Sequence, residues 1–140
     1  NPDIPVKSPE QLVTLASIIE KETGKAADRA QVAAVFNNRL RVGMPLQTDP
    51  TVIYGMGATF DGNLRKRDLL TDTPYNTYTR RGLPPGPINN PGEAALLSVL
   101  NPKRTTATGQ QALYFVHGLD GQIHVNADYA AHLRDVARYR

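Results

Sequence analysis

Two of the four glutamates of the chain stand two residues apart at the end of a predicted helix. Before them runs a stripe of apolar residues at helical spacing: Leu12, Leu15, Ala16, Ile18 and Ile19. At about 100° per residue, Glu22 projects within about 40° of the centre of that stripe, whereas Glu20 points about 120° away, toward solvent. Burial disfavours the charged form of a carboxyl group, so Glu22 is a candidate proton donor of the kind that glycoside cleavage needs. The alternative is a helix-end glutamate that turns back to water or pairs with Lys25 or Arg29.

Other reactive side chains give weaker signals. The chain has no cysteine, which excludes disulfides, thiolate zinc sites and cysteine nucleophiles. His117 and His124 could meet across a predicted hairpin, but no third ligand accompanies them, so no metal site is predicted. No serine lies in the glycine-flanked turn that exposes a nucleophile; the serines are Ser8, Ser17 and Ser98.

Polar and aromatic residues are concentrated in the loop-rich middle of the chain. Sugar sites use this mixture, because flat rings pack on pyranose faces while amides and hydroxyls bond the sugar hydroxyl and N-acetyl groups. For each residue the alternative is that it satisfies buried loop backbone. Asp49 has two further interpretations, a helix cap before Pro50 and a second catalytic carboxylate. The candidate binding residues are Gln47, Thr48, Asp49, Tyr54, Tyr75, Asn76, Thr77, Tyr78 and Asn90.

The elements that must position these side chains are predicted to be mostly helical. Ser8-Pro9 predicts the beginning of a first helix, and Gly24 predicts its end. Gly43 predicts the end of a second helix. Two short apolar runs joined by GLDG predict a β-hairpin. The fold class is therefore α+β, with a small antiparallel element and a long loop-rich centre. Helices are predicted over about 9–23, 29–42, 63–70, 92–100 and 127–139, strands over 112–117 and 122–126, and loop over most of 44–91.

The composition limits the possible partners. The 140 residues are 40% hydrophobic and 21% charged, which is typical of a globular domain. Sixteen Lys and Arg against 13 Asp and Glu give a net charge of +3, too small a surplus to indicate nucleic-acid binding. No apolar run reaches the roughly 18 residues that cross a bilayer, so the chain itself is expected to be soluble.

Four stretches of the sequence are similar to one bacterial family. LASIIEKETG, VFNNRLRVGMPLQTDPTVIYGMG, YNTYTRRGLPPGPINNPG and LYFV resemble the endolytic murein transglycosylases, the MltG/YceG-like family. The resemblance runs from about Leu12 to Tyr139. It implies a lysozyme-like catalytic domain over residues 9–140, after a linker or N-terminal arm over residues 1–8. It also implies a membrane anchor and a LysM-like domain that precede this region in the family and are absent from this chain.

The resemblance assigns roles to particular residues. Glu22-Thr23 matches the catalytic acid followed by a small hydroxyl residue, and Glu20-Lys21 does not. The QTDPT stretch, with Gln47, Thr48 and Asp49, and the YNTY stretch beginning at Tyr75 would form the walls of the cleft.

The implied reaction cleaves MurNAc–GlcNAc β-1,4 bonds without water, leaves 1,6-anhydroMurNAc ends and terminates strand elongation, with no metal and no cofactor. The implied partners are peptidoglycan glycan strands and cell-wall synthases, and nucleic acid is not among them. The parent protein would be anchored in the inner (cytoplasmic) membrane with this domain on the periplasmic or extracytoplasmic side of the cell envelope. Two alternatives stay open: a muramidase that uses Asp49 to hydrolyse the same bond, and a non-catalytic glycan-binding module.

Overall fold

Six α-helices and one two-stranded sheet form the part of the chain that the computed structural model describes, residues 5–23, 26–100, 111–120 and 122–139. The helices are α1 (Pro9–Glu22), α2 (Ala26–Val42), α3 (Asp49–Met56), α4 (Lys66–Leu70), α5 (Glu93–Leu100) and α6 (Tyr129–Tyr139). A 3₁₀ turn (Gly57–Thr59) follows α3, and the strands are β1 (Tyr114–His117) and β2 (Ile123–Asn126). The order of these helices and strands confirms the expected mixed α+β class.

Helix α1 begins and ends through local hydrogen bonds. The hydroxyl of Ser8 accepts the backbone N–H of Gln11 at 3.2 Å, and Pro9 occupies the first turn, where its missing N–H costs nothing. At the other end, the N–H and the hydroxyl of Thr23 both donate to the carbonyl of Ile19, at 3.1 and 2.9 Å. Thr23 is extended, so the helix ends at Glu22, one residue before the predicted boundary. The predicted stop at Gly24 lies outside the described residues.

The hydrophobic core lies between α1, α2 and α5. Each fully buried aliphatic or aromatic side chain contributes about 1.5–3 kcal/mol relative to exposure. The buried side chains of this cluster include Leu15, Ile18 and Ile19 of α1, Val32 and Phe36 of α2, and Ala95 and Val99 of α5.

The loop before α5 is hydrogen-bonded to α1. The hydroxyl of Ser17 accepts the N–H of Ile88 at 3.0 Å, and the amide of Asn89 donates to the carbonyl of Ser17 at 2.9 Å. Oε1 of Glu20 accepts the N–H of Gly92 at 2.8 Å, directly before α5 begins. The expectation that Glu20 points to solvent was therefore wrong in part: its side chain is 33% exposed, and it holds the N-terminus of α5.

Helix α2 carries polar side chains into the core. It ends as predicted at Gly43, whose φ of +78° is left-handed, while the N–H of Met44 donates to the carbonyl of Arg39 at 2.8 Å. The buried guanidinium of Arg39 donates to the carbonyls of Leu113 at 2.7 Å and Leu46 at 2.6 Å. Burial is the main cause that lowers the pKa of Arg39. This one side chain therefore joins α2 to the segments that lead into β1 and α3.

The central region is loop-rich, as predicted, apart from two short helices. Asp49 is the first residue of α3 rather than its cap, and Thr48 occupies the cap position without a side-chain capping bond. Helix α4 begins at Lys66, three residues later than expected, because the N–H of Arg65 donates to the Asp68 carboxylate at 2.8 Å and sets the helix start there. A Cβ on Gly55 of α3 would stand 2.9 Å from Oγ1 of Thr73, so the helix and the following loop lie in close contact.

The predicted hairpin is confirmed, with both strands shorter than expected at their first residues. Val116 pairs with His124 and His117 with Ile123 in the antiparallel register. Helix α6 packs on this hairpin, where the rings of His124 and Tyr139 stack with centroids 3.5 Å apart. Within the described ranges, none of the helices is long and apolar enough to cross a membrane.

Replacing Arg39 by Met should reduce the free energy of unfolding by about 2–4 kcal/mol, because two buried carbonyl groups lose charged donors. Urea denaturation of the whole chain measures the effect. Arg41→Met is the matched control on the exposed side of the same helix and should cost less than about 0.5 kcal/mol. Equal stabilities of the two variants would contradict the structural role of Arg39.

Candidate active site

A cavity of about 320 Å³ opens where the end of α1 meets α2, α3, the hairpin and α6. Its wall combines carboxylates, imidazoles, a phenol and a guanidinium with apolar side chains. The lining residues are Glu22, Arg39, Gln47, Asp49, Tyr78, Phe115, Val116, His117, His132 and Val136. Four of these belong to the set that the sequence predicted as catalytic or substrate-binding: Glu22, Gln47, Asp49 and Tyr78.

Glu22 lies at the last residue of α1 with its carboxyl group in the cavity wall. Its side chain is 15% exposed, in agreement with the helical periodicity that sends it toward the apolar side. Oε1 accepts a hydrogen bond from the Thr48 hydroxyl at 2.5 Å, and Oε2 lies 3.6 Å from Nε2 of His117. The expected alternative partner Arg29 instead stands 3.9 Å from Glu20, and Lys25 lies outside the described residues.

Thr48 is buried behind the carboxyl group rather than exposed in the cavity. It is 2% exposed, and its N–H donates to Oγ1 of Thr77 at 3.0 Å. The Thr51 hydroxyl donates to the Thr48 carbonyl at 2.8 Å, and the N–H of Gln47 donates to the Thr77 carbonyl at 3.2 Å. The QTDPT and YNTY stretches, which were predicted to form the cleft walls, are therefore hydrogen-bonded directly to each other. Thr48 and Thr77 lie at this contact.

Asp49 and Tyr78 form a polar pair on the cavity wall. The Tyr78 hydroxyl donates to Oδ1 of Asp49 at 2.6 Å. Burial, followed by this hydrogen bond, raises the pKa of Tyr78 far above its usual range, so the phenol stays protonated and keeps donating. Beside the pair, Gln47 has a φ of +53°, a left-handed backbone conformation that costs a residue with a side chain about 1–2 kcal/mol.

The remaining predicted binding residues lie away from this cavity. Tyr54 and Tyr75 form a tilted aromatic pair with ring centroids 4.8 Å apart, and Asn90 is exposed. Asn76 is 1% exposed: its amide donates to the carbonyls of 69 and 71 at 3.1 and 2.7 Å, and its oxygen accepts the N–H groups of 78 and 79 at 2.8 and 3.1 Å. Asn76 therefore satisfies loop backbone, the alternative that the sequence left open for it.

Four polar or aromatic cavity residues were not predicted from the sequence: Arg39, Phe115, His117 and His132. Phe115 packs edge-on against the core residue Phe36 at 5.7 Å, and side chains two apart on a strand share a face, so this alternation could have placed His117 inward. His132 had no comparable signal. Burial, and then the charge of Arg39, lower its pKa.

His117 and His124 do not pair across the hairpin, since His124 pairs with Val116 and contacts Asp120 at 3.1 Å. Across the described ranges, no three His, Asp or Glu side chains converge as metal ligands would.

Comparisons with known proteins agree with one another. The YceG-like family model matches residues 2–138 of the chain. The endolytic murein transglycosylase of Bacillus subtilis (strain 168) is 47% identical over 116 residues, which cover 83% of this chain and 31% of that protein. The endolytic murein transglycosylase of Streptococcus pneumoniae serotype 2 (strain D39) is 36% identical over 134 residues, which cover 92% of this chain and 23% of that protein. The chain thus spans about a third or less of these curated relatives' length.

A solved structure extends the comparison to the fold. The crystal structure of a yceG-like protein from Listeria monocytogenes superposes with a TM-score of 0.77 at 38% sequence identity, covering 89% of this chain and 38% of that chain. The family match spans nearly all of the sequence, and the relatives are well above the identity at which only a fold is shared. The chain belongs to the YceG-like family.

Proposed function

We propose that residues 9–140 form the catalytic domain of an endolytic lytic transglycosylase that cleaves MurNAc–GlcNAc β-1,4 bonds in peptidoglycan. The observation that carries the proposal is a largely buried carboxyl group, Glu22, whose Oε1 is hydrogen-bonded while Oε2 lies toward a cavity residue, His117. The names of the curated relatives describe the same activity.

Glu22 acts first as the acid. In its protonated form it donates to the bridging oxygen of the glycosidic bond, and the bond from that oxygen to C1 breaks. Positive charge develops at C1, where the neighbouring 2-acetamido group and the dipoles of the cavity wall stabilise it. The step requires one proton donor in a site with little water.

Glu22 acts next as the base. As a carboxylate it takes the proton of the C6 hydroxyl of the same sugar, and the C6 oxygen attacks C1 and closes the 1,6-anhydro ring. The proton balance is zero over the cycle, because Glu22 recovers what it donated. One carboxyl group is sufficient for both steps.

The other predicted residues divide into two groups in this proposal. Gln47, Asp49 and Tyr78 contact the sugar near the broken bond, since they line the cavity beside Glu22. The exposed Tyr54 and the half-buried Tyr75 form an aromatic pair that offers a stacking surface for a more distant sugar ring. Asn90 is a rim contact, whereas Thr48, Asn76 and Thr77 hold the walls in place rather than binding sugar.

Family membership also supports a proposal about the parent protein. We propose that it acts on nascent glycan strands in the cell envelope and ends their elongation. It would be held at the inner (cytoplasmic) membrane by an anchor that precedes this region, with this domain and a LysM-like domain on the periplasmic or extracytoplasmic side. Cell-wall synthases that make the strands are its proposed protein partners.

A hydrolase is the one competing function with an observation in its favour. Asp49 places a second carboxylate in the same cavity, where it could hold or activate water. The products differ by one water, since an anhydro end is lighter than a reducing end. Mass spectrometry of glycan strands cleaved by this chain therefore distinguishes the two reactions, and reducing ends alone would refute the lytic mechanism.

Glu22→Gln should lose activity by about 100- to 10,000-fold, because an amide cannot exchange the proton that the reaction needs. Its fold should be retained, since the amide oxygen can still accept the Thr48 hydrogen bond. The measurement pairs a melting curve with the yield of anhydro ends.

Glu20→Gln is the matched control, with the same change in charge two residues earlier on α1. Its amide oxygen still accepts the Gly92 N–H, so activity should stay within about two-fold of wild type. A folded Glu22→Gln variant that releases anhydro ends normally would remove Glu22 from the mechanism.

Two substitutions should distinguish a residue that contacts sugar from one that holds the loop in place: Gln47→Gly and Asn76→Ala. Gln47→Gly relieves a left-handed backbone, so the free energy of unfolding should be unchanged or up to about 1 kcal/mol higher while the KM for glycan rises. Asn76→Ala leaves buried backbone groups unpaired and should cost about 2–4 kcal/mol. Calorimetry and initial rates measure both effects, and an unchanged KM in Gln47→Gly would exclude that residue from binding.

A further inference from the structure

The two carboxyl oxygens of Glu22 have different surroundings. Oε1 is 2.5 Å from the buried hydroxyl of Thr48, on the side away from the cavity. Oε2 is 3.6 Å from Nε2 of His117, a distance longer than a hydrogen bond, and it faces a residue that lines the cavity. Only one of the two oxygens is therefore placed to meet a substrate atom.

The Thr48 hydroxyl is constrained to be the donor in its contact with Glu22. Threonine has one hydroxyl hydrogen, and a buried hydroxyl that leaves it unused loses the free energy of a hydrogen bond. In the described part of the chain, Oε1 of Glu22 is the acceptor within reach of that hydrogen. The hydrogen therefore points at Oε1.

The backbone around Thr48 is fixed on two sides. Its N–H donates to the Thr77 hydroxyl, and its carbonyl accepts from the Thr51 hydroxyl, while these two hydroxyls are 2.9 Å apart. Three buried threonines thus fix the backbone of Thr48, and this fixes the point from which its hydroxyl reaches Glu22.

We propose that Thr48 is a positioning residue that keeps Oε1 of Glu22 unprotonated, so that Oε2 carries the proton exchanged with the glycan. This inference rests on the proposed function and deepens it. Oε2 gives its proton to the glycosidic oxygen and takes one back from the C6 hydroxyl, so both proton transfers occur on the side of the cavity that His117 occupies. The sequence assigned Thr48 to sugar binding, and the new role replaces that assignment.

Other charges around Glu22 affect when it ionises, and the test must separate them from Thr48. Those on the cavity wall are Arg39 from α2, Asp49 from α3, Tyr78, His117 from β1 and His132 from α6. None of them is altered by a substitution at Thr48, and Thr48 itself does not titrate. A change in the pH profile on replacing Thr48 therefore reports its hydrogen bond to Glu22.

The experiment compares Thr48→Val, Thr48→Ser and wild type in kcat, KM and pH profile for release of anhydro ends. Thr48→Val keeps the shape and loses the donor, so kcat should fall about 10- to 100-fold with KM little changed. The alkaline limb of the pH–rate profile should move to higher pH, because loss of the donor makes the Glu22 carboxylate less favourable relative to its protonated form. Thr48→Ser restores the hydroxyl and should return kcat to within about three-fold of wild type with the original profile.

Thr14→Val is the matched control. Thr14 is a buried threonine on α1, about two turns before Glu22, and its hydroxyl donates to the Glu10 carbonyl at 2.8 Å. It should leave kcat and the pH profile unchanged. A Thr48→Val variant with the wild-type kcat and profile would overturn the inference. So would a rise in KM alone, which would return Thr48 to sugar binding.

A second measurement does not depend on activity. Carbon-13 labelling of glutamate gives only four side-chain carboxyl signals, from Glu10, Glu20, Glu22 and Glu93. In Thr48→Val the Glu22 signal should titrate at higher pH than in wild type, while the other three stay in place. A Glu22 signal that titrates identically in both proteins refutes the inference. Failure of wild type to release anhydro ends refutes the proposed function, and the labelling result then decides the role of Thr48 by itself.

Discussion

The cavity depends on one buried guanidinium. Arg39 donates to the carbonyl of Leu46, directly before the QTD segment, and to the carbonyl of Leu113, directly before β1. Both walls of the cavity therefore start from residues fixed to the same side chain. Burying a charge is costly unless every donor direction finds an acceptor, and the lowered pKa of Arg39 reflects that cost. The neighbouring Asn38 adds a bond to the Ala112 carbonyl at 2.7 Å, so α2 sets the position of the hairpin.

Opposing influences meet at the carboxyl group of Glu22. Its side chain is largely buried, and it lies at the C-terminal end of α1, where the helix dipole is negative. The Thr48 hydroxyl favours the carboxylate by donating to it. In the proposed mechanism, Glu22 gives up a proton and then recovers it, and both groups act on that exchange.

Local sequence patterns predicted the elements and one decisive residue. Helical periodicity placed Glu22 toward the core, Gly43 marked the end of α2, and the alternating runs around GLDG predicted the hairpin. These features depend on neighbours within a few residues. The partner of Glu20 could not be predicted this way, because Gly92 is 72 residues away in the sequence.

The cavity residues of the middle region were predicted only in part, for a similar reason. Amides and phenols in a loop look alike in sequence whether they contact a ligand or satisfy backbone. The difference between Gln47 and Asn76 lies in which segments fold against them. His117 is an intermediate case, since strand alternation indicates its face, but the carboxyl group that it approaches comes from the other end of the chain.

The hydrogen bonds that tie α1 to the loop before α5, and α2 to the chain before β1, join residues 71 to 74 positions apart. Contacts of such separation close long loops, and the entropy of closure must be overcome before they stabilise the chain. The first helix carries the proposed acid, Glu22, whereas Thr48 and His117, which its two carboxyl oxygens approach, come from later segments. In a chain that has not yet closed these loops, Glu22 is a solvated glutamate, and the chemistry proposed for it depends on the complete fold.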